Sequence, residues 1–367
     1  MGRHPPRIVL RHFPNEGARG SLRRVEGLRP VDLSRLMGGT FHAVGNRLLR
    51  RFGTRLGLTP NFTILDPEDA REMLEAATSD RNIPTLERRF PKGDVLLDLY
   101  SYTVNTGRPF PEVLAEHAPH FAPLEAEIVS VLQRYRERKR LGNACDYDDL
   151  LLMWKRLLDE SPEAAAQLSS SYDHVLVDEY QDTNRLQGEI VDGMAKAKRN
   201  VTVVGDDAQS ISSWRGANPE NLSELSRDYP QLKVVKLEQN YRCARRVLRA
   251  ANALIANNAH LFEKKLWSQQ EEGPPIRVIE CRDDEHEAEC VAGAIAHLAQ
   301  KHATPWHEFA VLYRGNHQSR ALEKALRLAR VPYHVTGGTA FLDRAEVKDL
   351  LAYLRLINNP DDDAAFL

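Results

Sequence analysis

The sequence predicts an α/β protein built on a parallel sheet covered on both faces, and three segments carry that prediction. HVLVDEYQD (174–182), NVTVVGDDAQS (200–210) and LKVVKLEQNYR (232–242) each place a short β-branched run directly before a polar cluster. Strands that are apolar on both faces belong to covered parallel sheets. Helix-like sequence follows the first and the third. Ligands of open α/β sheets bind beyond the carboxyl ends of the strands, so the three clusters are expected to converge on one crevice.

The elements follow in order. Residues 1–37 are hard to read: RIVLRHFPNEGARGSLRRVEGLRP has a short apolar start, then Pro, Gly and Arg without a period. From Thr40 the text is regular, and FHAVGNRLLRRFG spaces Phe41, Val44, Leu48 and Leu49 as one helical face. Residues of about 66–160 read as mostly helical, with Asp66 or Pro67 as a start signal and acids in the first turn of DPEDAREMLEAA. LEAEIVSVLQRYRERKR is amphipathic with a basic end. After the third sheet segment, Gly273-Pro274-Pro275 reads as a linker. A second α/β unit then follows: strand Ile276–Ile279, helix from about Glu285 to Gln300, strand Phe309–Tyr313, helix Ser319–Ala329 and strand Tyr333–Val335. A last helix, Arg344–Ile357, leads into NNPDDDAAFL. No internal repeat or low-complexity tract is visible.

Composition narrows the class. At 367 residues, 42% hydrophobic and 28% charged, the chain suits a globular protein of two or three domains. No apolar run approaches the roughly 20 residues of a membrane span, and the start lacks a signal peptide's apolar segment. Cys145, Cys243, Cys281 and Cys290 are scattered without a CxxC pair. That pattern predicts reduced thiols in a cytoplasmic protein, with neither a disulfide framework nor a zinc site. Net charge is −2, yet residues 1–55 alone carry +9 from twelve Arg and three acids. Such asymmetry suits a polyanionic partner, and equally an Arg-rich solvated arm.

The polar clusters have definite chemistry. Asp178 at a strand end is a hard oxygen ligand of the kind Mg²⁺ takes beside waters and phosphates. Glu179 can accept a proton from an attacking water, a contribution of roughly 10²–10⁴-fold. A competing reading makes these acids an N-terminal cluster for the next helix; it is strongest for Asp182-Thr183. In GDDAQSISSWRGA, Asp206 can join the carboxylates and Gln209 can hold a water or a phosphate oxygen. Trp214 beside Arg215 is either packing or a stacking platform for unpaired bases. Tyr241 offers an aromatic face, and Arg242 a phosphate-binding fork or a surface salt bridge. GGTFHA puts Thr40 at a helix start suited to phosphate, with Phe41 and His42 beside it, although a capped helix with a core Phe explains it as well.

Together these segments resemble the UvrD/Rep/PcrA family of superfamily-one DNA helicases. VDEYQDTN (177–184) looks like its motif II, VVGDDAQSISSWRGA (203–217) its motif III, LEQNYRC (237–243) its motif IV and GGTFHA (38–43) its motif Ib. The tail from 337 also fits, so the resemblance covers about residues 38–367. It implies a RecA-like motor domain (1A) over 38–65 and 147–272, interrupted by a helical insertion (1B) over 66–146. A partial second RecA-like domain (2A) would span 276–357, the start of another insertion (2B) 358–367, and a degraded piece of the first motor domain 1–37. It further implies that Asp178 holds Mg²⁺, Glu179 activates water, Gln209 and Arg242 sense the γ-phosphate of ATP, and Tyr241 stacks on the base. Thr40, Phe41, His42, Trp214 and Arg215 would face single-stranded DNA. The implied protein is an ATP-dependent 3′–5′ helicase acting on single strands and duplex junctions, with unspecified DNA-repair or replication proteins as partners.

The departures shape the expectation for this chain. The family shows Asp where Ala208 stands and an aromatic residue where Ser212 stands, which removes a stacking surface beside Trp214. No G-x-x-x-x-G-K-[ST] occurs, the loop that cradles the β/γ-phosphates. The family carries it upstream of residue 1, and RIVLRHFPNEGARGSLRRVEG looks like a degraded motif Ia. The expectation is a central helicase fragment impaired in catalysis. The alternatives are a non-catalytic single-strand-binding remnant and a functionless truncated product.

Overall fold

The computed structural model describes residues 7–11, 36–81, 90–212, 216–218, 220–258, 264–336, 345–362 and 365. The chain forms two compact units. The first comprises 1–238, 255–265 and 352–367, and the second 239–254 and 266–351.

The first unit is built on a four-stranded, all-parallel sheet. Its strands are β1 (Arg7–Arg11), β2 (Leu36–Thr40), β5 (His174–Asp178) and β6 (Val201–Val203), in the order β2-β1-β5-β6. The hard-to-read start thus contributes an inner strand: Leu10 pairs with Val177 and Arg11 with Asp178. Five residues are too few to show a period. Val175 and Val177 are buried, and helix α1 (Phe41–Phe52) packs its Phe41, Val44 and Leu48 into the same core, alongside Trp154.

Between β2 and β5 the chain makes a helical segment with a core of its own. A two-stranded pair, β3 (Thr63–Ile64) with β4 (Ala144–Cys145), closes its base. Helices α2 (Pro67–Asp80), α3 (Gly93–Thr106), α4 (Phe110–His117) and α5 (Glu125–Leu141) bury Leu74, Leu96, Tyr100, Val113, Val131 and Tyr135. Asp66 caps α2 in a reciprocal capping box, as its sequence signals. Helix α6 (Tyr147–Glu160) follows, with Asp146 capping it in the same way.

Asp146 is also part of a buried ion cluster. Lys139, whose side chain is 4% exposed, reaches Asp146 at 2.6 Å and Asp149 at 2.7 Å. The Tyr135 hydroxyl donates to Asp146 at 2.7 Å. Burial opposes ionisation of both acids. For Asp146 the ammonium wins and holds the carboxyl below its usual range, whereas burial and the neighbouring Asp146 push Asp149 up to about 7.

Residues 355–362 return to this base. Asn359 Nδ2 donates to the Thr63 hydroxyl at 3.0 Å and to the Gly142 carbonyl at 3.0 Å. Arg355 pairs with Asp69 at 2.8 Å and with Asp362 at 3.1 Å.

After β5, helix α7 (Pro162–Ser171) having preceded it, come α8 (Arg185–Ala195) and α9 (Glu220–Asp228). The second unit holds α10, which begins at Arg245, then α11 (Asp284–His302) and α12 (Ser319–Leu328), with a small core of Ala288, Ala292, Ile295, Ala325, Leu326 and Val331. The last helix is α13 (Ala345–Asn358). The helices match the sequence expectation closely. The strands expected at 232–238, 276–279, 309–313 and 333–335 form no ladder among the described residues, and Val278 and Leu312 are 95% and 94% exposed. β-propensity is largely a fit to a pleated, half-buried surface, and these runs have no paired neighbour to supply one.

Candidate nucleotide and DNA site

The sheet brings the first two polar clusters together. Strand β5 ends at Asp178, whose Oδ1 accepts from Glu179 N at 3.1 Å. Glu179 then takes a left-handed conformation, φ 55° and ψ 45°. A non-glycine residue held there carries strain of order 1–3 kcal/mol and is often found at functional sites. The turn re-aims the chain so that Tyr180 N donates to Val204 O at 3.0 Å, tying motif II to the end of β6.

Gln181, 0% exposed, joins the two clusters through one amide. Its Nε2 donates to Glu179 Oε2 at 2.8 Å, and its Oε1 accepts from Asp206 N at 3.0 Å. Asp206 in turn accepts from Gln209 Nε2 at 2.8 Å and from Ala208 N at 3.0 Å. Glu179, Gln181, Asp206 and Gln209 are therefore one hydrogen-bonded series at the carboxyl edge of β5 and β6. Gly205 makes room for it: an added Cβ would stand 3.1 Å from Gln181 Oε1 and 3.3 Å from Leu222 Cδ2.

Lys264 completes the cluster, its ammonium binding both Asp206 and Asp207. Burial opposes ionisation of Asp206, but Lys264 and Gln209 outweigh it and hold the carboxyl below its usual range. Gln181 and Lys264 were missed in the sequence. Gln181 lies inside motif II and was legible as a buried amide among acids; Lys264, more than fifty residues from its partners, gave no local signal.

The remaining expected residues are placed differently. Thr40 caps α1, its Oγ1 accepting from Ala43 N at 3.2 Å. Phe41 is 1% exposed and packs on Trp154, ring centroids 6.4 Å apart. It faces the core, which corrects the expectation that it faces DNA: it is the first apolar position of the helix's inward stripe. His42, half-exposed, meets Tyr147 edge-on at 5.8 Å. Ser212 is buried, so its small side chain bears on packing and not on an open stacking surface. Trp214 and Arg215 lie outside the described residues. Asp182 does not cap α8; Asn184 does, in a capping box with Gln187. Asp182 Oδ1 is buried with no hydrogen-bond partner among the described residues.

Tyr241 and Arg242 belong to the second unit. Asn240 Oδ1 accepts from Arg242 N at 3.0 Å and Cys243 N at 2.8 Å, folding the motif into a tight turn. That turn leaves Tyr241 73% exposed and Arg242 exposed, although the Tyr241 hydroxyl is held by Gln239 Oε1 at 2.8 Å.

Strand-end acids and an amide series on a small parallel sheet define an α/β protein of the RecA-like motor type. Residues 2–230 match the profile of the UvrD/REP helicase N-terminal domain, and residues 235–367 that of the UvrD-like helicase C-terminal domain. The chain belongs to the UvrD/REP helicase family. It is 41% identical over 359 residues to the ATP-dependent DNA helicase Rep of Escherichia coli K12, covering 97% of this chain and 52% of Rep. The ATP-dependent DNA helicase PcrA of Bacillus subtilis is 36% identical over 362 residues, 99% of this chain and 48% of PcrA. The Rep helicase of Buchnera aphidicola from Acyrthosiphon pisum is 37% identical over 367 residues, 99% of this chain and 55% of its own length. The chain thus spans about half the length of the curated relatives it matches. Among the described residues no helix is long and apolar enough to cross a membrane.

Proposed function

We propose that this chain carries the water-activating edge and single-strand contacts of a cytoplasmic, ATP-dependent 3′–5′ DNA helicase that moves along single strands and opens duplex junctions. The observation behind this reading is the series Glu179–Gln181–Asp206–Gln209 at the ends of two adjacent parallel strands. Donor chemistry suits Mg²⁺: Asp178 presents hard oxygen at a strand end, and Asp182 Oδ1 is a buried oxygen in want of a partner. Mg-ATP, when bound, supplies the phosphoanhydride and the positive charge that reconciles these acids.

The side chains have distinct tasks. Asp178 holds the metal. Glu179, fixed by the Gln181 amide, accepts the proton of the attacking water. Gln209 orients that water or a phosphate oxygen, Arg242 sets its guanidinium against the phosphate, and Tyr241 stacks on the base. Thr40, His42, Trp214 and Arg215 contact single-stranded DNA, with Phe41 supporting them from the core. Domain 1A then takes 38–65 and 147–272, with 1B at 66–146, 2A at 276–357 and 2B from 358.

A second reading rests on one sequence fact, that G-x-x-x-x-G-K-[ST] is absent from these residues. Without that cradle the chain alone binds single strands and turns over negligible ATP. Fluorescence anisotropy with a labelled oligonucleotide, with and without a Mg-bound non-hydrolysable ATP analogue, separates the two. The first reading expects the analogue to change DNA affinity, and Gln209→Ala and Arg242→Ala to abolish the change. The second expects salt-dependent binding weakened by Trp214→Ala and indifferent to nucleotide. DNA-stimulated, Mg²⁺-dependent hydrolysis by the chain alone, lost in Glu179→Gln, would overturn the impairment.

A further inference from the structure

The sequence spacing of the cysteines gave no metal signature, yet the fold gathers two of them with a histidine. Cys281 lies in the connection before α11, His286 is in the first turn of that helix, and Cys290 follows four residues later. Residues four apart share a helix face. The ligand atoms of Cys281, His286 and Cys290 all lie within 4.8 Å of one another, and all three residues are half-buried. Cys290 Sγ stands 3.6 Å from His286 Nε2. Asp283 caps the helix, its Oδ1 accepting from His286 N at 2.7 Å, and so fixes the backbone that carries the ring.

We propose that Cys281, His286 and Cys290 bind one soft or borderline divalent cation of the zinc class. Two thiolates and an imidazole nitrogen are the donor set such ions take, and one that Mg²⁺ and Ca²⁺ do not. Three protein donors leave the fourth tetrahedral position to water. The site is independent of the proposed nucleotide chemistry, which uses oxygen donors on the first unit. Its effect is to clip the connection at Cys281 onto the first two turns of α11.

The same sulfurs can also pair as a disulfide, losing the two thiol hydrogens to an oxidant, whereas the imidazole nitrogen 3.6 Å from Cys290 Sγ suits the cation. A bound cation displaces the thiol protons. One rearrangement is required. Arg282 N–H donates to His286 Nδ1 at 3.2 Å, so coordination through Nε2 needs the ring proton on Nδ1 and that hydrogen bond given up. Because binding releases the two thiol protons, it strengthens with pH.

The test uses the full chain, reduced and stripped with a chelator, titrated with Co²⁺ as a spectroscopic probe and then with Zn²⁺. One equivalent of Co²⁺ should give thiolate-to-metal charge-transfer absorption that Zn²⁺ displaces. Cys281→Ser and Cys290→Ser should each weaken binding about tenfold or more, while Cys243→Ser leaves it unchanged. Zn²⁺ should raise the melting temperature of the wild-type chain and not that of Cys281→Ser. Absence of the band, or a band that survives Cys281→Ser/Cys290→Ser, would overturn the proposal. So would a chain lighter by the two thiol hydrogens, cross-linked between Cys281 and Cys290, whose reduced form takes up no metal.

Discussion

At the base of the helical segment, Asp146 and Asp149 are sealed around Lys139, with the Tyr135 hydroxyl filling a further lone pair. At the ends of β5 and β6, Asp178, Glu179 and Asp206 stay half-exposed, and Glu179 is held in a left-handed conformation. Both regions crowd acids. The first resolves the repulsion with an internal cation and becomes a structural joint. The second leaves its acids open toward solvent, braced by the Gln181 amide and by Lys264. The first region neutralises its acids from within; the second keeps Asp178, Glu179 and Asp206 partly open to solvent beside a strained turn.

The contrast can be broken most violently at Lys139. Lys139→Met leaves two acids buried without their cation and should cost about 3–5 kcal/mol, read as a lower denaturation midpoint of the helical segment. A cost under about 1 kcal/mol would show that the cluster is not a joint. Next comes Gln181→Leu, which strips a buried amide from Glu179 and Asp206 N. A loss of about 1–3 kcal/mol is expected, with the larger change in nucleotide-dependent DNA binding. If stability alone moves, the series is only packing.

A smaller effect isolates the strain. Glu179→Gly should be more stable than Glu179→Ala by about 1 kcal/mol, since only glycine takes the left-handed region freely. Equal stabilities would remove strain from the comparison.

The smallest effect is a pair of pH limbs in the helical segment. Hydrogen bonds from Arg138, opposed by slight desolvation and aided by Arg134, hold Asp80 down at about 2. Its stabilising share is full above the ordinary carboxyl pKa and disappears as pH falls toward 2. Burial and the neighbouring Asp146 raise Asp148 to about 6. The folded state therefore favours its protonated form, and that share is lost as pH rises through about 6. Asp80→Asn should flatten the acid limb of a melting-temperature profile and Asp148→Asn the limb near 6.

How much of this was legible follows from range. Helices were readable because caps such as Asp66 and stripes such as Phe41-Val44-Leu48 are local; the stripe left Phe41 open to a core place or a DNA-facing one, and its burial decides for the core. β1 was not readable, because RIVLR earns its place from two neighbours far along the chain. The expected strands of the second unit failed for the same reason: propensity without a paired neighbour makes no ladder. Asp178, Glu179 and Gln209 stood out as polar residues beside apolar runs. Lys264 and the Cys281–His286–Cys290 group depend on tertiary proximity that no motif spacing encodes.

Asn359 donates to Thr63 across 296 residues of sequence. Ribosomes emit roughly 5–20 residues per second, so about 15–60 s separate the emergence of these two partners. During that interval the Thr63 acceptor at the segment's foot must rely on water or on a chaperone. Lesions at Asn359 are therefore expected to surface as poor yield of soluble chain during synthesis, well before any shortfall appears in material that has already matured.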